Sequence, residues 1–445
     1  MQAYLLALKN ADFRKLWLGA VVSMLGDGAT WIALAWLAVS AGGAGALAVL
    51  GVCYSAPIIA GGLLAGKFVD RFSRRWLLII DCLVRGAAMA AIPVLALTGG
   101  VALWHIYAVA AVFGLFKILP IGIIPAVLPE LVPKKQLPTA IALEAVGTGA
   151  AGLAGPALGG VLVPLIGAEW LLALDAVTYL IFAAAVLSMK APLARPPVSA
   201  EEKAVSPGKR GAWGPVVAFI VRDRVMLVIT IAFTAFNVAM GMLIVTQPWL
   251  AHERLAGGAV ILGAMVGTLA AAEMIGSLIA GAIRPARRPM FRIGLLQLVA
   301  GGGLLLMLGA NPYLILIAQV VCGLPAALLT VSSQTVRYQR TPEHLRARTM
   351  TLMRTMMLGA VPVGSALAGV LLDSGSYTTL VVVMAVIAGA PGLLSVIFVR
   401  SAVVNPDEPA AAAAPVEPAT DPTVPIGPVD PAAAESPTLA RDGAG

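Results

Sequence analysis

Apolar residues in this chain come in long runs rather than in alternation, and the runs recur from one end to the other. Stretches of about twenty apolar residues match the ~30 Å hydrocarbon thickness of a bilayer. The pattern therefore predicts membrane-spanning helices, not the amphipathic helices of a soluble core. Cut at their Gly, Pro and charged breaks, the runs place spans near 14–40, 45–68, 75–98, 101–128, 137–165 and 168–189. A second set falls near 224–249, 258–283, 289–309, 312–338, 345–372 and 376–399. Two stretches stand outside. Residues 190–223 hold Pro192, Pro196, Pro197 and Pro207 among charges, as a linker does, and residues 401–445 are an acidic Ala/Pro-rich tail expected to be disordered. The expected fold is all-α and integral to the membrane. Its twelve spans form two six-helix bundles, 1–189 and 224–400, joined by a cytoplasmic linker at 190–223 and followed by a cytoplasmic tail at 401–445.

Composition sharpens this picture. Hydrophobic residues make up 60% of the chain and charged ones 12%, about half the charge of a soluble domain. The first apolar run is longer than a signal-peptide core and lacks a cleavage site, so it reads as a retained span. Cys53, Cys82 and Cys322 are scattered through apolar segments and suggest neither a disulfide framework nor a zinc site. No cofactor or metal is expected. A net charge of +8 would suggest nucleic acid in a soluble chain, but here the placement of the charge matters more. Of the 30 lysines and arginines, only Arg254 falls in an outside loop, and Arg85, Lys117 and Arg354 fall within spans. The rest sit at one set of span ends, as basic residues do in cytoplasmic loops. This register requires an even number of spans in each half and puts both termini on the cytoplasmic side of a cell membrane.

The two halves also echo each other. GPALGGVL at 155–162 is matched by GSALAGVL at 364–371, and Asp27 of the first span by Asn237 of the seventh. Both offsets are about 210 residues, and parallel repeats of six spans place a substrate site at the midplane between the halves.

Several stretches carry a family resemblance. They are ADFRKLWLGAVVSMLGDGATWIALAWLAV (11–39), AGKFVDRFSRRWLLIIDCLVRG (65–86), AGPALGG (154–160) and LLALDAVTYL (171–180). Together they resemble the major facilitator superfamily, and within it the enterobactin-exporter-like and macrolide-efflux-like drug exporters, over roughly residues 10–400. The resemblance implies a secondary transporter working by alternating access, exporting a small lipophilic or cationic compound such as a drug, macrolide or siderophore, with protons as the coupling ion. It also implies a cytoplasmic latch built from Gly66, Asp70, Arg71, Arg74 and Arg75, with Asp70 facing the N-terminus of the eleventh span and Asp81 and Arg85 nearby. Gly155, Pro156, Gly159 and Gly160 correspond to the antiporter motif of the fifth span. This chain departs from the pattern at Ala151, where a glycine is expected, and in the loop GAIRPARRP (281–289), which lacks the acid. The fourth span has Lys117 as its only base, where drug antiporters carry an arginine.

Charges within spans are the sharpest functional candidates, because each costs several kcal/mol in hydrocarbon unless paired or hydrated. Asp27 and Lys117 lie near mid-depth, and Lys117 is the candidate base for Asp27. Glu144, Glu273 and Arg354 lie in the cytoplasmic third, and with Asn237 they complete the expected substrate- and proton-binding set. Asp81 and Arg85, four residues apart, form an intrahelical pair. Trp31, Trp36, Tyr54 and Phe236 are candidates to stack on an aromatic substrate or to pack between helices.

Other classes fit less well. GGLLAGKF (61–68) imitates a phosphate-binding loop but ends in Phe68 where Ser or Thr must hold magnesium, so no ATP site is expected. His105, His252 and His344 are isolated in different segments and form no catalytic constellation, so the chain is not read as an enzyme. The expected partners are the lipid bilayer, a small-molecule substrate and protons, with no nucleic acid. The competing readings are uptake of a small metabolite and a non-transporting receptor or scaffold.

Overall fold

The computed structural model describes residues 2–191, 193, 214–283 and 288–398, with side chains throughout except at 2, 3, 5, 63–71, 343, 344, 347 and 398. Every regular element among them is helical. A short α1 (Gln2–Leu8) leads into α2 (Ala11–Arg71), followed by α3 (Arg74–Thr98), α4 (Leu103–Leu131), α5 (Leu137–Ile166) and α6 (Ala168–Leu187). Next come α7 (Gly214–Arg222), α8 (Arg224–Glu253), α9 (Gly258–Ala282), α10 (Pro289–Leu304), α11 (Pro312–Arg340), α12 (Glu343–Asp373), α13 (Tyr377–Gly389) and α14 (Pro391–Phe398).

Eleven stretches among the described residues are long and apolar enough to cross a bilayer. The first of them, Ala11–Gly62, has 52 residues, which at 1.5 Å each is about 78 Å, more than twice the ~30 Å available. It is two spans. The helix breaks at Gly42 and Gly43, where Gly43 has φ +60° and ψ −145°, a conformation open to glycine alone. The arms before and after this break are α2a and α2b, and they bring the count to the expected twelve. The last span runs through α13 and α14, interrupted at Ala390 before Pro391. Gly392 there presses against Gly294 of α10, and Gly301 of α10 against Gly389, with no room for a Cβ on Gly392, Gly294 or Gly301.

The expected linker ends in a helix. Residues Gly214–Arg222 are helical, and Val216 and Ile220 are buried against Met226, Ile229 and Phe233 of α8. Their i, i+4 spacing gives a single apolar stripe, which the prolines and charges upstream obscure. Most of 190–213 and all of the 401–445 tail lie outside the described residues.

Span ends gather on two faces. On one, Asp12 accepts from the Lys190 and Ala191 amides, Lys15 donates to the Ser188 carbonyl, Asn10 bonds Gln136, and Arg340 pairs with Asp223 at 3.0 Å. On the other, Gly45 lies beside Asp373 and the Trp36 ring meets His252 at 5.2 Å. The first six spans and the last six pack chiefly through two helix pairs, α2b with α12 and α5 with α9, and α2 also touches α8. Near the Gly43 face both pairs close tightly. A Cβ on Gly160 would come within 2.9 Å of Gly263 Cα, and one on Gly51 within 2.7 Å of Ser365 Oγ. Small residues at such crossings let backbones meet where lipid offers no hydrophobic drive.

Candidate functional site

A cavity of about 200 Å³ opens among α2a, α3, α4, α5 and α6, lined by Asp27, Arg85, Lys117, Ser23 and Thr148 among apolar side chains. Asp27 lies about 24 Å along α2a from Ala11, deep in the span. Both neighbours of Asp27 are glycines with different tasks. A side chain at Gly26 would collide with the Asp175 carboxylate of α6, and one at Gly28 would come within 2.8 Å of Pro156 Cδ of α5. The Gly-Asp-Gly run therefore admits one helix on each side of the acid.

The partners of Asp27 differ from the expected one. Arg85 Nη1 donates to its two oxygens at 3.3 and 3.2 Å, and the Tyr179 hydroxyl donates to Oδ1. Arg85 also donates through Nε to Asp81 at 3.0 Å and pairs with the same carboxylate through Nη2. Its Nη1 reaches Tyr179 Oη at 3.0 Å, and the guanidinium lies 4.5 Å from the Tyr179 ring centroid. Asp81 and Arg85 are 0% and 1% exposed. A planar guanidinium with five donors can serve two carboxylates and a phenol at once, which an ammonium cannot.

One expected pairing is not formed: Lys117 is not the partner of Asp27. It shares the cavity wall but donates to Tyr54 Oη at 2.8 Å and sits 5.4 Å from both the Tyr54 and Phe113 ring centroids. Asp81 and Arg85 lie inside the bundle rather than at the helix end, since i, i+4 spacing brings them together and Arg85 reaches Asp27. At the helix end, Arg74 pairs with Glu130 of α4, and Arg75 donates to the Met189 carbonyl beyond α6. The side chains of Gly66, Asp70 and Arg71 lie outside the described residues.

Sequence reasoning missed Asp175, Tyr179, Thr30 and Thr178. Asp175 is 1% exposed. Its Oδ2 accepts from Thr30 Oγ1 at 2.5 Å, and its Oδ1 lies 2.8 Å from Thr178 Oγ1. The available signal was the i, i+4 spacing of Asp175 and Tyr179 within an otherwise apolar span, the same spacing that links Asp81 to Arg85.

The remaining candidates are dispersed. Glu144 accepts from Thr148 at 3.2 Å and lines a narrow gap beside Trp17 and Met24. Asn237 and Arg354 meet in a second cavity of about 550 Å³ among α8, α11 and α12, with Arg337, Gln334 and Tyr338. Asn237 Nδ2 donates to the Phe233 carbonyl at 2.8 Å. Arg337 bonds the Ser333 carbonyl and hydroxyl at 3.3 Å. Glu273 on α9 is exposed on its helix and lies near enough to Cys322 of α11 to act on it electrostatically. Gly155 and Gly159 abut Gly28 and Ala29 of α2a, and Gly160 abuts Gly263 of α9, so the motif of the fifth span acts first as a packing surface. Trp31 stacks toward Tyr54 at 5.0 Å and Tyr54 on Phe113 at 5.7 Å, so these aromatics pack on one another beside Lys117. Trp36 packs on His252, and Phe236 is buried.

Comparison with known proteins extends this geometry. A family model described as transmembrane secretion effector, MFS_3, matches residues 3–429. The multidrug efflux pump Tap of Mycobacterium tuberculosis and that of Mycobacterium bovis are each 25% identical over 395 residues, covering 84% of this chain and 90% of theirs. Among solved structures, the nucleoside transporter NupG superposes with TM-score 0.65 at 13% identity, covering 86% of this chain and 98% of its own. A bacterial homologue of the iron transporter ferroportin in an inward-facing state gives 0.64 at 16% identity, with the same coverages. A D-xylose–proton symporter gives 0.60 at 13%, covering 89% of this chain and 98% of its own. The twelve-span arrangement is thus the fold shared by these transporters. The chain belongs to the transmembrane secretion effector family of the major facilitator superfamily and is a membrane transporter rather than an enzyme.

Proposed function

We propose that this protein is a proton-coupled exporter of small lipophilic cations, with Asp27 as the residue that meets the cargo. The observation that carries the reading is a largely apolar cavity whose wall presents a single accessible carboxylate, Asp27, 14% exposed at its side chain, while Asp81 beside it is sealed. A cationic ligand there gains a charge partner in a low-dielectric wall, where an ion pair is far stronger than in water. The multidrug efflux activity of Tap supports export as the direction.

On this reading residues 1–189 and 224–400 are two bodies that rock about the site, as parallel six-span repeats do. The basic side chains gathered at the Lys15 face, including Arg74, Arg75 and Arg340, support a cytoplasmic position for that face and for both termini. Tight crossings near the Gly43 face and cavities reaching toward the Lys15 face support an inward-open state. Cells expressing the protein should accumulate less ethidium than cells without it, and a protonophore should abolish the difference. Undiminished export after Asp27→Asn at equal membrane abundance would remove Asp27 from the mechanism.

A further inference from the structure

Three carboxyl groups meet around one guanidinium, and only two of them touch it. Asp27 and Asp81 both accept from Arg85. Asp175 has two hydroxyl partners instead, Thr30 and Thr178. The Thr178 hydroxyl also lies 2.8 Å from the Asp175 backbone carbonyl. A hydroxyl owns one proton, and a carbonyl oxygen can only accept. When Thr178 donates to that carbonyl, the same proton serves Oδ1 only as one arm of a shared, three-centre bond, whereas a proton on Oδ1 would complete that 2.8 Å contact by donating to the hydroxyl. We propose that Asp175 is a proton-binding site, occupied in this conformation, whose proton leaves when a cation occupies Asp27.

The surrounding charges fit that assignment. Those near enough to act on Asp175 are Asp27 on α2a and Arg85 on α3. The helix α3 also brings Asp81 and Cys82, and α6 itself brings Tyr179. Lys117 on α4 is directed to Tyr54, and Glu144 on α5 is bonded to Thr148 beside a separate gap. With Asp27 and Asp81 ionised on Arg85, a third anion would stand in the bilayer core bonded only to hydroxyls, whereas a neutral acid needs no countercharge. A cation arriving at Asp27 displaces one Arg85 contact and frees Nη1. The O–H bond of Asp175 then breaks, the electron pair stays on the carboxylate, and the proton passes to water in the cavity. One positive charge enters and one leaves, so the cluster's net charge is unchanged.

The coupling half of this proposal rests on Asp27 as the cation site, whereas the proton at Asp175 does not, and two measurements separate them. Infrared spectra of the purified full-length protein at neutral pH report the C=O stretch of a protonated, buried carboxylic acid. The band is expected in the wild type and absent in Asp175→Asn, and Asp27→Asn, which frees Arg85 as a bound cation does, should weaken it. A band that persists in Asp175→Asn overturns the assignment, and a band that Asp27→Asn leaves unchanged overturns the link between the two acids. Should Asp175→Asn not fold, Thr178→Val removes the proton's acceptor and should shift the band; an unmoved band overturns the proposal equally. In weakly buffered solution, ethidium binding to the wild type should release about one proton per dye, as linkage requires. Asp175→Asn should bind dye and release none, and equal release by the two proteins would overturn the coupling. Absence of ethidium export from cells carrying the wild type would instead overturn the efflux reading, with the infrared band still deciding the proton site.

Discussion

Arg85 is the residue on which the first-half cluster depends, because it is the only cation bonded to either Asp27 or Asp81 among the described residues. Replacing it with glutamine leaves two carboxylates without a counterion, Asp81 in a sealed interior and Asp27 on the cavity wall. Breaking a buried pair in this way costs about 3–5 kcal/mol. Arg85→Gln is therefore expected to lower the thermal unfolding midpoint of the purified protein and to abolish dye export. Lys117 gives the contrast. Its ammonium is bonded to a phenol and lies over two rings, with no carboxylate in its bonding shell. Lys117→Gln should leave the unfolding midpoint nearly unchanged while altering the apparent affinity for a cationic dye, since it removes a positive charge from the wall opposite Asp27. A midpoint drop as large as that of Arg85→Gln would show that Lys117 holds the bundle together.

Between elements, the decisive residues are those with no side chain. Gly28 and Gly155 let α2a and α5 approach until backbones touch, and Gly160 with Gly263 does the same for α5 and α9. Adding methyl groups at such a crossing forces the helices apart, at about 1–3 kcal/mol for an overpacked site. Gly28→Val is expected to destabilise the protein by that order and to displace Asp27 from Arg85, so that export falls together with the unfolding midpoint. At Gly122, by contrast, an added Cβ would meet nothing within 4 Å, and Gly122→Ala should stay within about 0.5 kcal/mol, as open surface substitutions do. Equal effects from the two substitutions would mean that the α2a–α5 crossing is not the site of the strain.

At the scale of the molecule, alternating access requires the closed Gly43 face to open. Gly45 of α2b and Asp373 of α12 face each other there, with a Cβ on Gly45 lying 4.0 Å from Asp373 Cγ, within reach of a disulfide. A Gly45→Cys/Asp373→Cys pair, in a background with Cys53, Cys82 and Cys322 replaced, should cross-link on oxidation, block export, and recover on reduction. Export that continues through a fully formed cross-link would rule out opening between α2b and α12. Topology has its own test: an impermeant thiol reagent applied to intact cells should label cysteines introduced at Gly43 and Gly375 and miss one at Ser206. Truncation after residue 402 should leave export unchanged, because an acidic Ala/Pro-rich segment lacks the apolar surface to pack on the helices. Lost export at normal membrane abundance would assign the tail a role.

Spans, their number and the side on which basic residues collect were legible in the sequence because each depends on local composition. A bilayer demands about twenty apolar residues wherever the chain crosses, whatever the neighbours are. The same locality exposed Asp27 as costly and therefore meaningful. Its partner was not legible. Lys117 matches Asp27 in depth, but depth says nothing about which way a helix is turned, and the rotation of α4 directs Lys117 to Tyr54. The i, i+4 pairs Asp81–Arg85 and Asp175–Tyr179 were visible as spacings, yet two separate helical stripes become one cluster only when α3 and α6 pack beside α2a. Gly26 permits the approach of α6 and Gly28 that of α5, and their role depends on helices some 130–150 residues away along the chain. Sequence by itself determined that this protein lives in the membrane and where its charges are expensive. Tertiary structure decided which of those charges neutralise one another, because pairing depends on helix rotation and closest approach, and neither is a property of a single segment.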